Sequence, residues 1–145
     1  MKYFLSFLLV LSSIIVNAQD VVGTYELQSN SNDSSDFELK RILTLNSNGT
    51  FEYYNYRRVK RGIPPETHTY GKGTWKRENK VIIFTTAQSD MDDKFTLNFT
   101  GTKARFISKS PRDKSDRIIK TALSFYESEI FWIKGMKLLK KEITL

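Results

Sequence analysis

The chain has 145 residues, a formal net charge of +7, one histidine and no cysteine. That length suits a single domain, and the lack of cysteine excludes disulfides and a lipid-modified cysteine. A zinc or copper site is not expected, because such sites draw mainly on histidine and cysteine.

Residues 1–18 are predicted to be a signal peptide. Lys2 precedes an apolar run over residues 3–16, and the Val-Asn-Ala sequence that ends at Ala18 suits cleavage after that residue. The run is too short to span about 30 Å of hydrocarbon, which argues against a membrane anchor. We therefore expect an exported bacterial protein, periplasmic or extracellular, neither lipid-anchored nor membrane-spanning, whose one domain covers residues 19–145.

The domain contains a clear hairpin signal. The sequence Ser-Asn-Gly at residues 47–49 separates two β-prone runs, and Asn and Gly tolerate the positive φ that a tight hairpin loop demands. A three-residue loop places Leu45 opposite Phe51 and Leu43 opposite Tyr53. One face of this hairpin can then be buried while the other is wetted.

Short β-prone segments recur along the chain at the spacing typical of all-β folds. Strands are predicted over residues 21–28, 37–46, 50–59, 69–77, 80–86, 95–99, 118–126 and 130–134, with 136–142 as a last strand or a short helical tail. Residues 95–99 alternate most regularly. A Gly-Thr turn after them predicts a second hairpin, in which Phe99 pairs with Ala104 and Leu97 with Phe106.

No segment shows a long 3.6-residue period, so the fold is predicted to be all-β. A sandwich and a barrel both suit such a strand pattern. Sequential hairpins with matched inner faces favour a single up-and-down antiparallel barrel of about eight strands, which also leaves no open edge.

Three stretches carry a family resemblance: Gly23-Thr24-Tyr25, the hairpin over residues 43–51, and Gly73-Thr74-Trp75. On these the chain resembles the lipocalin-like domains of exported bacterial proteins, within the calycin group. The resemblance covers nearly all of residues 20–142. It implies an up-and-down barrel able to bind a small apolar ligand.

The interior of such a barrel is either filled by side chains or holds one small molecule. The residues predicted to face inward are bulky: Phe51, Tyr53, Trp75, Phe95, Leu97, Phe99, Phe106, Leu123 and Phe125. The face of Tyr53 continues through Asn55 and Arg57, which predicts a ligand site at one mouth of the barrel. Arg57 is suited to a carboxylate or phosphate; the alternative is that it lies beyond the rim in water.

The opposite face of the same strand gives a second candidate surface, formed by Tyr54, Tyr56, Arg58 and Arg61. Such basic-aromatic patches bind single strands of nucleic acid in other proteins, but export argues against nucleic acid here. A basic surface favours acidic partners, so anionic lipid or glycan is the better candidate. Solubility alone explains the charge more simply.

No residue pattern indicates catalysis, a cofactor or a metal. His68 has no evident acidic neighbour to orient it. The acidic turn with Asp90, Asp92 and Asp93 lacks the glycine and glutamate of a calcium loop. The leading hypothesis is therefore an exported small-ligand-binding barrel for an amphipathic or anionic hydrophobic molecule, and not an enzyme. The alternative is a solid-core envelope or secreted protein-interaction barrel without a small ligand.

Overall fold

The computed structural model describes residues 20–29 and 36–143, and strands dominate that part of the chain. The strands are β1 (Gly23–Ser29), β2 (Phe37–Leu45), β3 (Thr50–Val59), β4 (Glu66–Glu78), β5 (Val81–Thr85), β6 (Phe95–Leu97), β7 (Thr102–Ile107), β8 (Ala122–Glu127) and β9 (Lys137–Lys140). One short turn of 3-10 helix, Gln88–Asp90, precedes β6. The predicted signal peptide, residues 1–18, lies outside the described residues.

Eight of the strands close into an antiparallel barrel. Each strand from β1 to β4 pairs with the one that follows it, β5 pairs with β7, and β7, β8 and β9 continue the sheet back to β1. The predicted all-β, up-and-down barrel is therefore confirmed, and the sandwich is excluded.

The hairpin of β2 and β3 has the predicted register. Leu45 lies opposite Phe51 and Leu43 opposite Tyr53. Gly49 adopts a φ of 85°, a backbone region that glycine enters without a steric penalty. The Asn48 side-chain oxygen accepts a 3.1 Å hydrogen bond from the Thr50 backbone nitrogen, which fixes the turn locally.

The predicted hairpin over residues 95–106 is wrong. The strand that begins at Phe95 ends at Leu97 and pairs in parallel with β4. Phe99 lies beyond the end of this strand and is fully buried in the core. β7 instead pairs with β5 and β8, because without it β5 would present an unpaired edge.

Other boundaries differ from the prediction. β4 begins at Glu66, β8 begins only at Ala122, and residues 130–134 form turns instead of a strand. The last element is a strand, β9, and not a helical tail.

The interior of the barrel is packed with aromatic rings. Phe51 contacts Phe84 and Phe99 edge to face, with ring centroids 5.1 Å apart in both pairs. Room for these rings comes from two inward-facing glycines on β4, since Gly73 lies opposite Phe51 and Gly71 opposite Tyr53. Of the residues predicted to face inward, all but two are buried: Phe51, Tyr53, Trp75, Phe99, Phe106, Leu123 and Phe125.

The two exceptions are Phe95 and Leu97 of β6. The pairing of β6 with β4 shifts in register between Phe95 and Leu97, so their partners Tyr70 and Gly71 are adjacent residues on opposite faces of the sheet. Phe95 packs on the ring of Tyr70, 6.0 Å away, outside the barrel. Leu97 is only partly buried against the core.

The end of the barrel that contains the β2–β3 turn, here the closed end, is plugged. Val21 is fully buried there, and its carbonyl accepts a 2.6 Å hydrogen bond from the Tyr25 hydroxyl. The Trp75 indole donates a 3.1 Å hydrogen bond to the Asn46 carbonyl. The opposite end, here the mouth end, contains the β3–β4 and β8–β9 loops.

Candidate functional site

A cavity of about 560 Å³ lies at the mouth end, above the aromatic core. Its walls come from the inward faces of β2, β3 and β4, from β6, and from the loop between β8 and β9. The position of the lining residues follows from the alternation of side chains along each strand, because every second residue of a strand faces the barrel interior.

Three neighbouring strands change from apolar to polar at the same height. Arg41, Asn55 and Thr69 lie side by side across β2, β3 and β4. In the next row towards the rim, Arg57 lies between Leu39 and Thr67. The row below the polar one consists of Leu43, Tyr53 and Gly71, which lie at the level of the core.

Arg41 is held in place by its neighbours. Its Nε donates to the Asn55 side-chain oxygen at 3.2 Å, and one terminal nitrogen lies 3.5 Å from the Trp132 carbonyl oxygen. The guanidinium carbon also lies 5.0 Å from the centre of the Trp132 ring. The charge is therefore positioned before any ligand arrives, which lowers the entropic cost of binding.

Arg57 is more exposed and less constrained. Its guanidinium carbon lies 5.8 Å from the Phe37 ring centre, and its backbone carbonyl accepts a hydrogen bond from Thr67 at 3.5 Å. No acidic residue is among the described residues that line the cavity. Two uncompensated arginines give the cavity a positive potential, which favours anions.

The remaining lining is apolar. It consists of Phe37, Leu39, Leu97, Phe131 and Trp132. Ligand sites typically combine apolar walls with a few convergent polar groups, and this cavity has that composition.

The sequence grouped Tyr53 with Asn55 and Arg57, and the structure separates them. Asn55 and Arg57 line the cavity, whereas Tyr53 lies one row deeper. Its ring packs 6.0 Å from that of Trp132. Burial raises the pKa of the Tyr53 phenol, and the nearby Arg41 charge offsets part of that rise. The ligand-binding role of all three residues stays a prediction.

Sequence reasoning missed Arg41 and the residues of the β8–β9 loop. A signal for Arg41 was present, because it occupies the inward position between Leu39 and Leu43 and faces Asn55 across the hairpin. Phe131 and Trp132 gave no such signal, since they lie in a turn that was predicted as a strand.

The predicted partner surface lies outside the barrel. Tyr54 stacks against His68 and lies 5.1 Å from Tyr70, centre to centre. The Tyr54 hydroxyl and His68 Nδ1 are 2.9 Å apart.

Tyr56 and Arg58 follow Tyr54 on the same outward face of β3. The Tyr56 ring also packs on His68, and Arg58 pairs with Glu38 at 3.2 Å. Arg61 is exposed in the β3–β4 loop. These rings cover one another across the strands, an arrangement that stabilises a sheet. Their role in binding a partner stays a prediction.

Two carboxylates of the acidic turn, those of Asp90 and Asp92, accept hydrogen bonds from backbone amides. Asp92 accepts hydrogen bonds from the Lys94 and Phe95 nitrogens at 2.8 Å, and these bonds lower its pKa. Asp90 accepts from Ala87 at 2.9 Å. Within residues 20–29 and 36–143, no three His, Cys, Asp or Glu side chains come close enough to hold a metal ion.

Comparisons do not add an identity to this geometry. The chain matches no protein-family model, no curated protein and no solved structure. In the described part of the chain, no helix has the length and apolar character needed to cross a bilayer.

Proposed function

We propose that this protein is an exported, lipocalin-like binding protein for a small amphipathic anion, and not an enzyme. The observation that carries the proposal is the polar row of Arg41, Asn55 and Thr69 above an apolar core, with no acidic residue in the described cavity lining. An anionic head would lie between Arg41 and Arg57. The apolar body would contact Leu39, Leu97 and the aromatic lining residues, which are Phe37, Phe131 and Trp132.

The chemistry of the two arginines favours a carboxylate or phosphate head. Guanidinium groups donate paired, charge-assisted hydrogen bonds to such groups. The filled core below the cavity restricts the ligand to a short one, because Tyr53 and Phe99 are already in contact, with ring centroids 5.2 Å apart. A chain that had to enter the deep interior would displace those rings.

Isothermal titration with dodecanoate tests the proposal. We expect one dodecanoate per protein and much weaker binding of dodecanol, which has the same tail and no charge. Arg57→Gln should weaken dodecanoate binding by about tenfold to a hundredfold, because a hydrogen bond to a charged group contributes about 1.5–3 kcal/mol.

Arg58→Gln is the matched control. Arg58 is the next residue of the same strand, but it points outward and pairs with Glu38. Because Arg58 does not line the cavity, its loss should change dodecanoate affinity by less than about threefold, as expected for an exposed charge screened by water. Equal binding of dodecanol and dodecanoate, or equal effects of the two substitutions, would refute an anion site at the mouth.

A solid-core interaction barrel is the second candidate, and the filled lower half supports it. In that case dodecanoate would not bind at all, and the outward-facing rings of Tyr54 and Tyr56 would bind a protein partner. The same titration therefore separates the two candidates.

A further inference from the structure

Two of the most exposed apolar side chains lie at the mouth end. Ile63 is 101% exposed in the β3–β4 loop, and Phe131 is 86% exposed in the β8–β9 loop. The strand directions bring both loops to the same end of the barrel. Ile63 lines a small cleft beside the main cavity, and the two hollows share Arg57 and Thr67. Ile63 and Phe131, here the two apolar tips, therefore lie on either side of Arg57.

Positive charge surrounds these tips. Arg57, Arg61 and Lys134 are exposed and make no ion pair with any described residue. The two loops that carry the apolar tips, residues 60–65 and 128–136, contain three cations, Lys60, Arg61 and Lys134, and one carboxylate, Glu129. In these two loops cations therefore outnumber carboxylates, and Arg41 and Arg57 add to the positive charge in the cavity beside them.

We infer that the mouth rim, defined as Ile63, Phe131, Arg57, Arg61 and Lys134, docks on the surface of an anionic phospholipid bilayer. Ile63 and Phe131 enter the boundary between headgroups and acyl chains, and the three cations meet the phosphates. Binding at such an interface grows with the apolar area buried and with attraction to anionic lipid. Phe131 suits this depth, because phenylalanine is among the residues that interfacial segments bury at the headgroup boundary.

A bilayer suits this surface better than a folded protein does. A stable protein interface needs about 800 Å² from each partner, with a well-packed centre. Two side chains that project from separate loops do not form such a centre, but they can each enter a fluid interface. The inference goes beyond the proposed function, because docking needs no ligand in the cavity.

Co-sedimentation with lipid vesicles tests the inference. The full chain is expressed, and its N-terminus is determined by mass spectrometry so that all variants share it. We expect it to sediment with vesicles of phosphatidylcholine mixed with phosphatidylglycerol, less with phosphatidylcholine alone, and less in high salt. Ile63→Asp combined with Phe131→Asp should lower the partition coefficient by about tenfold or more.

Ile118→Asp is the matched control, because Ile118 is 90% exposed in the loop that joins β7 to β8 at the closed end. This variant should sediment as the unmodified chain does. If Ile118→Asp abolishes sedimentation and the rim variant does not, the closed end docks and the inference is wrong. If the rim variant loses self-association on gel filtration instead of vesicle binding, the partner is a second copy and the inference is likewise wrong.

The two tryptophans report orientation, since Trp132 lies at the mouth end and Trp75 at the closed end. Brominated phospholipid should quench the emission of the Trp75→Phe variant, which keeps Trp132, and leave that of Trp132→Phe unchanged. Equal or reversed quenching would overturn the inference.

Failure of docking is distinguishable from failure of the proposed function. Ile63 does not line the main cavity, so Ile63→Asp alone should weaken vesicle binding and keep the affinity for dodecanoate. A fold check by circular dichroism accompanies each variant.

Discussion

Arg57 and Arg58 are identical side chains on adjacent residues, yet they face opposite sides of the sheet. Arg57 lines the cavity, whereas Arg58 pairs with Glu38 on the outside. The period of two decides this difference, so the inward direction of Asn55 and Arg57 could be predicted from the turn at Gly49. What one strand could not reveal is which residues of other strands stand beside them.

The clearest steric prediction at this scale concerns Gly73. A Cβ on this residue would lie 2.1 Å from the Thr85 backbone oxygen and 3.0 Å from the Phe51 ring. Neither atom belongs to a flexible side-chain end, so Gly73→Ala must move a strand. We expect a loss of about 3 kcal/mol in the free energy of unfolding, measured with urea.

Gly101→Ala provides the comparison. Gly101 has a φ of 83°, and a Cβ at this position would meet no atom within 4 Å, so alanine there adds only backbone strain of about 1–2 kcal/mol. If Gly73→Ala costs no more than Gly101→Ala, the contact between β4 and β5 is looser than these distances indicate.

At the scale of elements, β6 is where sequence reasoning failed. Alternation over residues 95–99 correctly indicated extended chain, but periodicity says nothing about the partner of a strand. The prediction therefore paired this segment with residues 104–106, which follow it closely along the chain. The actual partner, β4, is reached only because the chain between Thr85 and Phe95 returns to the mouth end. Non-local pairing of this kind leaves no local signal.

Thr86 stabilises this crossing where regular strand pairing stops. Its hydroxyl donates to the Lys72 carbonyl at 3.1 Å and accepts from the Phe99 nitrogen at 3.0 Å. Thr86→Val keeps the shape but leaves both backbone groups without this partner. We expect a loss of about 2–6 kcal/mol in the free energy of unfolding, because each of the two unsatisfied groups costs about 1–3 kcal/mol.

Thr86→Ser separates the hydroxyl from the methyl group. Serine retains both hydrogen bonds and should lose only about 1 kcal/mol from the missing methyl. Urea unfolding that gives equal losses for valine and serine would show that packing, and not the two hydrogen bonds, is what matters at this position.

For the whole molecule, closure of the barrel was predictable because matched inner faces on sequential strands leave few other ways to bury them. The composition of the interior was also largely predictable, as Phe51, Phe99 and Phe125 show. The cavity was only half predictable. Asn55 and Arg57 follow from one hairpin, but Trp132 comes from a distant turn whose placement depends on the closed barrel.

Stability against alkali is a property of the whole barrel. Burial raises the pKa of both Tyr25 and Tyr53, and the Asp20 charge raises that of Tyr25 further. In the unfolded chain these phenols ionise near about pH 10. Above that pH the unfolded state loses protons that the folded state keeps, so folding stability falls by about 1.4 kcal/mol per pH unit for each tyrosine.

Urea unfolding from about pH 8 to about pH 11 measures this slope. The variant with Tyr25→Phe and Tyr53→Phe should decline less steeply than the unmodified chain above about pH 10, whatever its stability at the lower pH. Parallel curves for the two proteins would mean that these phenols ionise as readily in the barrel as in the unfolded chain.

Both described ends of the chain lie at the closed end, where Lys140 Nζ donates to the Asp20 carbonyl at 2.7 Å and the Lys141 nitrogen donates to the Thr24 carbonyl at 2.7 Å. If residues 1–18 are a signal peptide, as predicted from the sequence, and that peptide stayed attached and inserted in a membrane, it would hold the barrel by the closed end, with the cavity turned away from the lipid. Proteolytic cleavage would free the barrel to reorient, so that its mouth end could face the membrane. Cleavage of the predicted signal peptide would then determine which end of the barrel can face a membrane.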